Sequence, residues 1–405
     1  MSSQVLLTPQ IISKESLMIL ENNLVAAARV NRKFENQFMK IGASLTIRKP
    51  NRFTVGSGAA LQIQDIAEPS VNITVDKQKQ VTWQFTSQDL TLTIEEFSTR
   101  YLKPAMAAMA NKVDADVLAL TTQISNYVGT PRVVPAAFSS SVQLVGRRMD
   151  DQAAPQENRA LILNPAGYWQ IANGLVNSFV MPTAKDALVK GYLTTIGNFD
   201  IFMDQNVVNG NAGANHNSSI AMVTNSSGAG IGMQGNSNTV SAYGSAGNET
   251  MQIGEVFTVA GVNNVNPQSR ADTGVAKNFV VTATTTPTAS VWTITFSPSI
   301  VTSGPYQNVT AGMNSSAAIT WLTGTSAAQI ASPQNLALSR DAMGLVMVPM
   351  EIPGGVDFSA RETYRNISLR VIRAYDINND VFPTRIDMLY GTAVYYDELA
   401  VRLGG

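Results

Sequence analysis

One third of this chain is nearly free of charge, and that restricts its architecture more than any other feature. Residues 205 to 339 hold five charged side chains, Glu249, Glu255, Arg270, Asp272 and Lys277, against 36 in residues 1 to 204 and 16 in residues 340 to 405. Within this block the β-prone runs "VFTVAGV", "NFVVTATTT" and "VWTITFSP" alternate with Gly, Asn, Ser and Pro turns. That is the pattern of a small antiparallel barrel or sandwich, set as its own domain between flanks of different character.

The flanks mix helices and strands. Thr8 and Pro9 form an N-cap and first-turn pair, and Leu17, Leu20, Leu24 and Ala28 recur at helical spacing, which predicts an amphipathic helix of about five turns with a basic end at Arg29, Arg32 and Lys33. From Ser44 to Gln88 the period falls to two: Leu45 and Ile47 share one face, as do Val71, Ile73 and Val75, predicting a long hairpin with a glycine-bearing middle. Helix and hairpin each leave an apolar face that must lie on the body or on another copy of the chain. A Thr93-x-x-Glu96 capping box then opens a second helix, predicted to end at Gly129. Its stripe is Leu102, Met106, Met109, Val113, Val117, Leu120 and Ile124, over roughly 50 Å at about 1.5 Å per residue, with Pro104 restarting it near Lys103. The methionines read as core packing. Ala160 to Leu163 is a buried strand that turns at Asn164-Pro165 into a helix, and "IGNFDIFMDQNV" is another strand. The chain closes with strands, the first placing Ile367, Leu369 and Val371 on one face. Arg365, Arg370, Arg373 and Arg385, interleaved with Asp376, Asp380 and Asp387, read as a solvated or intersubunit ion network rather than a nucleic-acid patch.

Catalytic chemistry finds little support. The chain has no Cys, which removes disulfides, thiolate nucleophiles and Cys-ligated metals, and its single His216 sits in the loop-like "GNAGANHNSS". Glu95-Glu96 and Asp150-Asp151 are sequence neighbours whose side chains diverge, so they read as a helix N-terminal turn and a solvated loop. The glycine-rich "GSGAAL" at Gly56 and "SGAGIGMQG" at Gly228 lack the ending of a phosphate-binding loop. Asn-x-Ser/Thr triplets, such as those at Asn225 and Asn248, follow from Asn/Ser richness. No catalytic, cofactor-binding or metal site is expected. A net charge of -1 gives no field that would grip nucleic acid, and no signal sequence or membrane-spanning run is read, so a soluble, cytosolic origin is expected.

"LILNPAGYWQIANGL", "GEVFTVAGVNNVNP", "FSPSIVTSGPYQNVTA" and "AMGLVMVPMEIPGG", in this order and with these elements, resemble a tailed-phage major capsid protein of the Hong Kong 97 type, and more specifically the coat proteins of short-tailed enterobacterial phages. The resemblance implies an α+β fold with an N-terminal arm (1–40), an extended β-hairpin loop (41–90), a peripheral domain with a long spine helix (91–135 and 386–405), an axial α/β domain (136–208 and 329–385) and an inserted all-β barrel (209–328). It implies a non-enzymatic subunit that assembles as hexamers and pentamers into an icosahedral shell around double-stranded DNA. The partners would be scaffolding protein during assembly, portal protein at one vertex and DNA held without sequence preference, with no membrane. The protein would be found in the virion and, during assembly, in the host cytoplasm.

Arm and hairpin would carry the subunit contacts, with Arg48, Lys49 and Arg52 as charged partners across the interface. Two other readings compete: an encapsulin-like compartment that encloses an enzyme, and a β-rich adhesin or glycan-binding protein. Cargo content would decide the first. The long internal helix and the absent signal sequence weigh against the second.

Overall fold

The computed structural model describes residues 9–33, 44–56, 58, 63–64, 66, 68–86, 98–131, 133–135, 141–176, 193, 195–211, 213, 221–223, 238–243, 251–284, 291–313, 317–323, 331–356 and 358–404. His216, the Thr93-Glu96 capping box, Glu95-Glu96, most of "GSGAAL", "SGAGIGMQG" and the triplets at Asn225 and Asn248 lie outside them. The chain divides into two compact units: Met1–Arg48, Ser70–Val117 and Gly344–Ala393 form the first, and Lys49–Pro69, Leu118–Met343 and Val394–Gly405 the second.

In chain order the elements begin with α1 (Pro9–Asn23), β1 (Ser44–Arg48), β2 (Ser70–Thr74), β3 (Lys77–Thr86), α2 (Lys103–Leu118), β4 (Tyr127–Val128), α3 (Val142–Asp151), β5 (Arg159–Leu163), α4 (Pro165–Val176), β6 (Thr195–Ile196), β7 (Phe199–Met203) and β8 (Asn209–Asn211). They continue with β9 (Ala221–Val223), β10 (Asn238–Tyr243), β11 (Val256–Val265), β12 (Asp272–Thr284), β13 (Val291–Ser297), β14 (Ile319–Trp321), β15 (Ala331–Pro333), β16 (Asn335–Ser339), β17 (Met343–Val348), β18 (Phe358–Tyr364), β19 (Ile367–Arg373), β20 (Val381–Val394) and β21 (Ala400–Leu403).

The first unit is built on a five-stranded antiparallel sheet in which the long β20 pairs with β17, β19 and β3, and β19 pairs with β18. α1 lies against β18 and β19 and buries Ile12, Leu17 and Leu20 there. Two serines on this buried face turn their hydroxyls onto the helix backbone, Ser13 to Gln10 O at 3.1 Å and Ser16 to Ile12 O at 2.7 Å, so neither is left unpaired. The helix is shorter than its periodicity predicts. It stops at Asn23, because Asp114 of α2 accepts the backbone N–H groups of Val25 and Ala27, each at 2.8 Å, and holds the following chain in a turn. Arg29, Arg32 and Lys33 therefore lie beyond the helix, where Arg32 pairs with Glu21 at 3.3 Å. Of the two supports expected for α1, the body supplies its cover: the apolar face lies against its own chain.

The predicted hairpin is present. β1 and β2 pair antiparallel, with Leu45 opposite the fully buried Ile73. Gly391 of β20 permits a close crossing, since a Cβ there would lie 2.0 Å from the Thr74 carbonyl oxygen. The arginine network of the last strands is intrachain. Arg370 and Arg385 both bind the fully buried Asp387 side chain, at 2.6 and 2.5 Å, while Arg385 stays 41% exposed and Arg365, paired with Glu21, 66% exposed.

The apolar stripe of the second helix, Leu102 to Ile124, is buried throughout. A π-helical turn at Ser98–Leu102 gives way to α2 at Lys103, where Pro104 sits in the first turn and its missing N–H costs nothing. The helix does not reach Gly129. It tightens to a 3-10 turn at Ala119–Gln123 and leaves helical geometry at Ile124. The residues beyond are taken by β21: the Arg402 N–H donates to Asn126 O at 2.8 Å and Tyr127–Val128 becomes β4, parallel to β21.

The second unit holds a mixed six-stranded sheet in the order β4-β21-β16-β5-β7-β6, whose central strands β21, β16 and β5 are buried along their whole length. β5 and β7 are parallel, joined through α4, and the core beneath the helices includes Val145, Met149, Leu161, Ile171, Phe199 and Val401. The phrase "LNPAG" explains the turn into α4. The Asn164 side chain caps it by accepting the Gly167 N–H at 2.9 Å, Pro165 supplies the first helical φ, and a Cβ on Gly167 would lie 2.7 Å from the capping oxygen. Asp150-Asp151 are not in a loop. They close α3, where Asp150 accepts from the buried Arg159 guanidinium at 2.6 Å.

The charge-poor block forms a separate antiparallel sheet in the order β14-β11-β12-β13-β10-β9. Its core is an aromatic cluster in which Phe257 packs on Phe279, Phe296 and Trp321 with ring centroids 5.4 to 5.8 Å apart. Among the described residues the two outer strands, β14 and β9, do not pair with each other. The sheet is open, and the predicted closed barrel is corrected to this. Two of the block's few charges are buried, Glu255 at 1% and Lys277 at 2% exposure. Glu255 accepts backbone N–H groups from Gly213 and Gln252.

Candidate functional site

The three predicted interface cations fall at the base of the loop between β1 and β2. Arg48 ends β1 on an exposed position opposite Ser70. Lys49 donates its backbone N–H to Pro69 O at 2.8 Å, closing the loop base, and its ammonium lies 4.7 Å from the Tyr396 ring centroid. Burial pushes the Lys49 pKa down against the opposing pull of Asp397 and Glu398. Arg52 forms an ion pair with Glu398 at 2.5 Å, and its guanidinium stacks 6.0 Å from the Tyr306 ring centroid. The structure therefore gives Lys49 and Arg52 partners in their own chain. Except for Tyr306, those partners come from "YYDEL", residues 395 to 399, where two tyrosines precede two acids. That signal was present in the sequence, but nothing in it tied the C-terminus to residue 52.

The loop above this base has an apolar surface. Phe53 is 62% exposed, Val55 98%, Ile63 85% and Ile66 69%. Its arms are held together where the Gln64 side-chain amide spans the Thr54 backbone, accepting its N–H at 2.7 Å and donating to its carbonyl oxygen. Arg270 adds a hydrogen bond to Phe53 O at 3.0 Å. Ionic and aromatic contacts thus fasten the base, and the large apolar side chains face outward.

Behind the base lies a buried polar cluster. Asp397 accepts from Ser125 Oγ at 3.1 Å, and burial raises its pKa, with Glu398 adding to the rise. Lys277 of β12 donates to Asn264 Oδ1 at 3.2 Å, and burial lowers its pKa to about 8. Gln152, the C-cap of α3, donates to the same oxygen at 2.8 Å. Such a cluster joins elements. Among the described residues no group of three His, Asp or Glu could hold a metal ion, and no helix there is long and apolar enough to cross a membrane.

These features are an α+β subunit with a fastened, outward-facing apolar loop. The sequence model of one family, described as P22 coat protein (gene protein 5), matches residues 1–405, and the chain belongs to that family. It is a phage major capsid protein that self-associates into the icosahedral shell of a tailed phage and resides in the virion. Solved structures with a similar chain path include a chain of Mycobacterium phage Che8, 11% identical with a TM-score of 0.49, covering 94% of this chain and 90% of that one. The capsid of Ralstonia phage GP4 is 8% identical with a TM-score of 0.45, covering 94% and 87%. The CUS-3 coat protein I-domain is 30% identical with a TM-score of 0.20 and covers 27% of this chain and 98% of that one. No curated protein matches the chain.

Proposed function

We propose that this coat subunit acts without catalysis, in a Hong Kong 97-type arrangement of arm (1–40), loop (41–90), peripheral domain (91–135 and 386–405), axial domain (136–208 and 329–385) and accessory β domain (209–328). Hexamers and pentamers assemble in the host cytoplasm around scaffolding protein, with portal protein at one vertex, and the shell encloses double-stranded DNA without gripping its sequence. A formal net charge of -1 supports loose contact with DNA.

The observation that carries the assembly role is the loop. Phe53, Val55, Ile63 and Ile66 form an exposed apolar set above a base fastened by Arg52 and Glu398. On this reading the apolar tip supplies the subunit contact, while Lys49 and Arg52 aim it and Arg48 remains a charged contact at its edge. The test is the double substitution Val55→Asp and Ile63→Asp, examined by sedimentation and electron microscopy. Folded subunits that fail to close shells support the role, and normal shells refute it. Nucleic acid inside purified wild-type shells supports the phage-capsid content, whereas a packaged cargo enzyme would favour the compartment reading.

A further inference from the structure

An open cleft of about 330 Å³ lies within the second unit, lined by α3, β4, β11 and β12. Arg148 lines it and is 4% exposed. Among the described residues its guanidinium makes only long hydrogen bonds: Nε to Asn126 Oδ1 at 3.4 Å, and Nη1 and Nη2 to Ala276 O, each at 3.4 Å. Ordinary N–H···O bonds fall between about 2.7 and 3.2 Å. No carboxylate lies within ion-pair distance of Arg148 among the described residues. A buried guanidinium so weakly satisfied is costly unless an anion reaches it. Burial lowers its pKa to about 10, a deficit that Asp151 only partly offsets.

The rest of the lining limits what could enter. Arg147 and Asp151 also line the cavity and stand 3.9 Å apart, so with Arg148 they leave one uncompensated positive charge. Leu144, Val275 and Leu322 supply an apolar wall. We propose that this cavity binds a small monocarboxylate with a compact apolar body, its carboxylate taken by Arg148 and its body by Leu144, Val275 and Leu322. The volume sits at the small end of ligand pockets, which start near roughly 300 Å³. A planar guanidinium also matches a carboxylate in bidentate fashion.

Ligand-observed NMR titration of the purified full-length protein tests this, with benzoate as probe and benzamide as its uncharged isostere. Saturable benzoate binding, with benzamide weaker by at least about tenfold, is expected. Leu144→Trp fills the cavity from its partly exposed lip and should reduce benzoate binding at least about tenfold with the far-ultraviolet dichroism retained. Arg148→Gln should erase the preference for benzoate over benzamide. If that variant does not fold, Leu144→Trp and the isostere comparison still decide. The proposal is overturned if wild-type protein shows no saturable benzoate binding up to about 10 mM. Equal binding of benzamide, or unchanged binding by Leu144→Trp, would overturn it too.

Discussion

Arg402 reaches Gly254: its Nη1–H donates to the Gly254 carbonyl oxygen at 2.6 Å, while Nη2–H donates to Thr122 O at 2.8 Å. One fully buried side chain on the last strand thus ties the end of the 3-10 turn to the entry of the accessory sheet. Gly254 has φ +91, and a Cβ there would meet the Thr122 side chain at 3.1 Å, so the two approaches reinforce each other. Burial lowers the Arg402 pKa to about 9, and it keeps its place through backbone oxygens rather than an acid.

Replacing Arg402 by Met would remove both bonds and leave two carbonyl oxygens buried without these donors. A loss of about 2–4 kcal/mol in urea unfolding is expected. Arg402→Lys should recover little of it, because a single ammonium cannot span both oxygens in the guanidinium's fork geometry. Full stability in either variant would contradict this account.

Lys277 sets a pH dependence. Its folded pKa, about 8, lies below the ordinary 10.5 because burial disfavours the charged form. Between those values the unfolded chain binds more protons than the folded one, so stability rises with pH across that window and is flat below it. Lys277→Met should abolish this part of the rise and raise stability at neutral pH by on the order of 1–3 kcal/mol. The measurement is the difference between wild-type and variant denaturation curves from pH 7 to 11, which cancels other groups titrating there; a constant difference would rule the explanation out.

Asp387 holds two arginines from a fully buried position. Asp387→Asn should cost about 3 kcal/mol, because the guanidiniums lose their shared counter-charge while Arg370 stays largely buried. Chemical denaturation checks this, and a cost below about 1 kcal/mol would show that the network is worth no more than a surface pair.

Gly391 faces the Thr74 carbonyl with no room for a methyl group. Gly391→Ala should destabilise the fold by more than about 2 kcal/mol and lower the yield of assembled particles at elevated temperature. A thermal midpoint equal to wild type would show that the strands can separate without penalty.

What could be read from the chain and what could not divide along physical lines. Period-two runs, the Asn164-Pro165-Gly167 cap and the buried stripe from Leu102 to Val117 rest on interactions between near neighbours, so their residue order alone specified the elements they form. The family resemblance likewise needed only local phrases in order. The end of α1 at Asn23, the loss of helix after Leu118 and the burial of Lys277 depend on partners 89, 274 and 13 positions away: Asp114 on Val25, Ala400 of β21 on Asn126, and Asn264. The pairing of Arg52 with Glu398 spans 346 positions. Local propensity sees only a few residues at a time, whereas a charge taken out of water must find its counterpart wherever the folded chain brings one. The tertiary structure therefore decided where helices stopped, whether the accessory sheet closed, and which charges became fasteners.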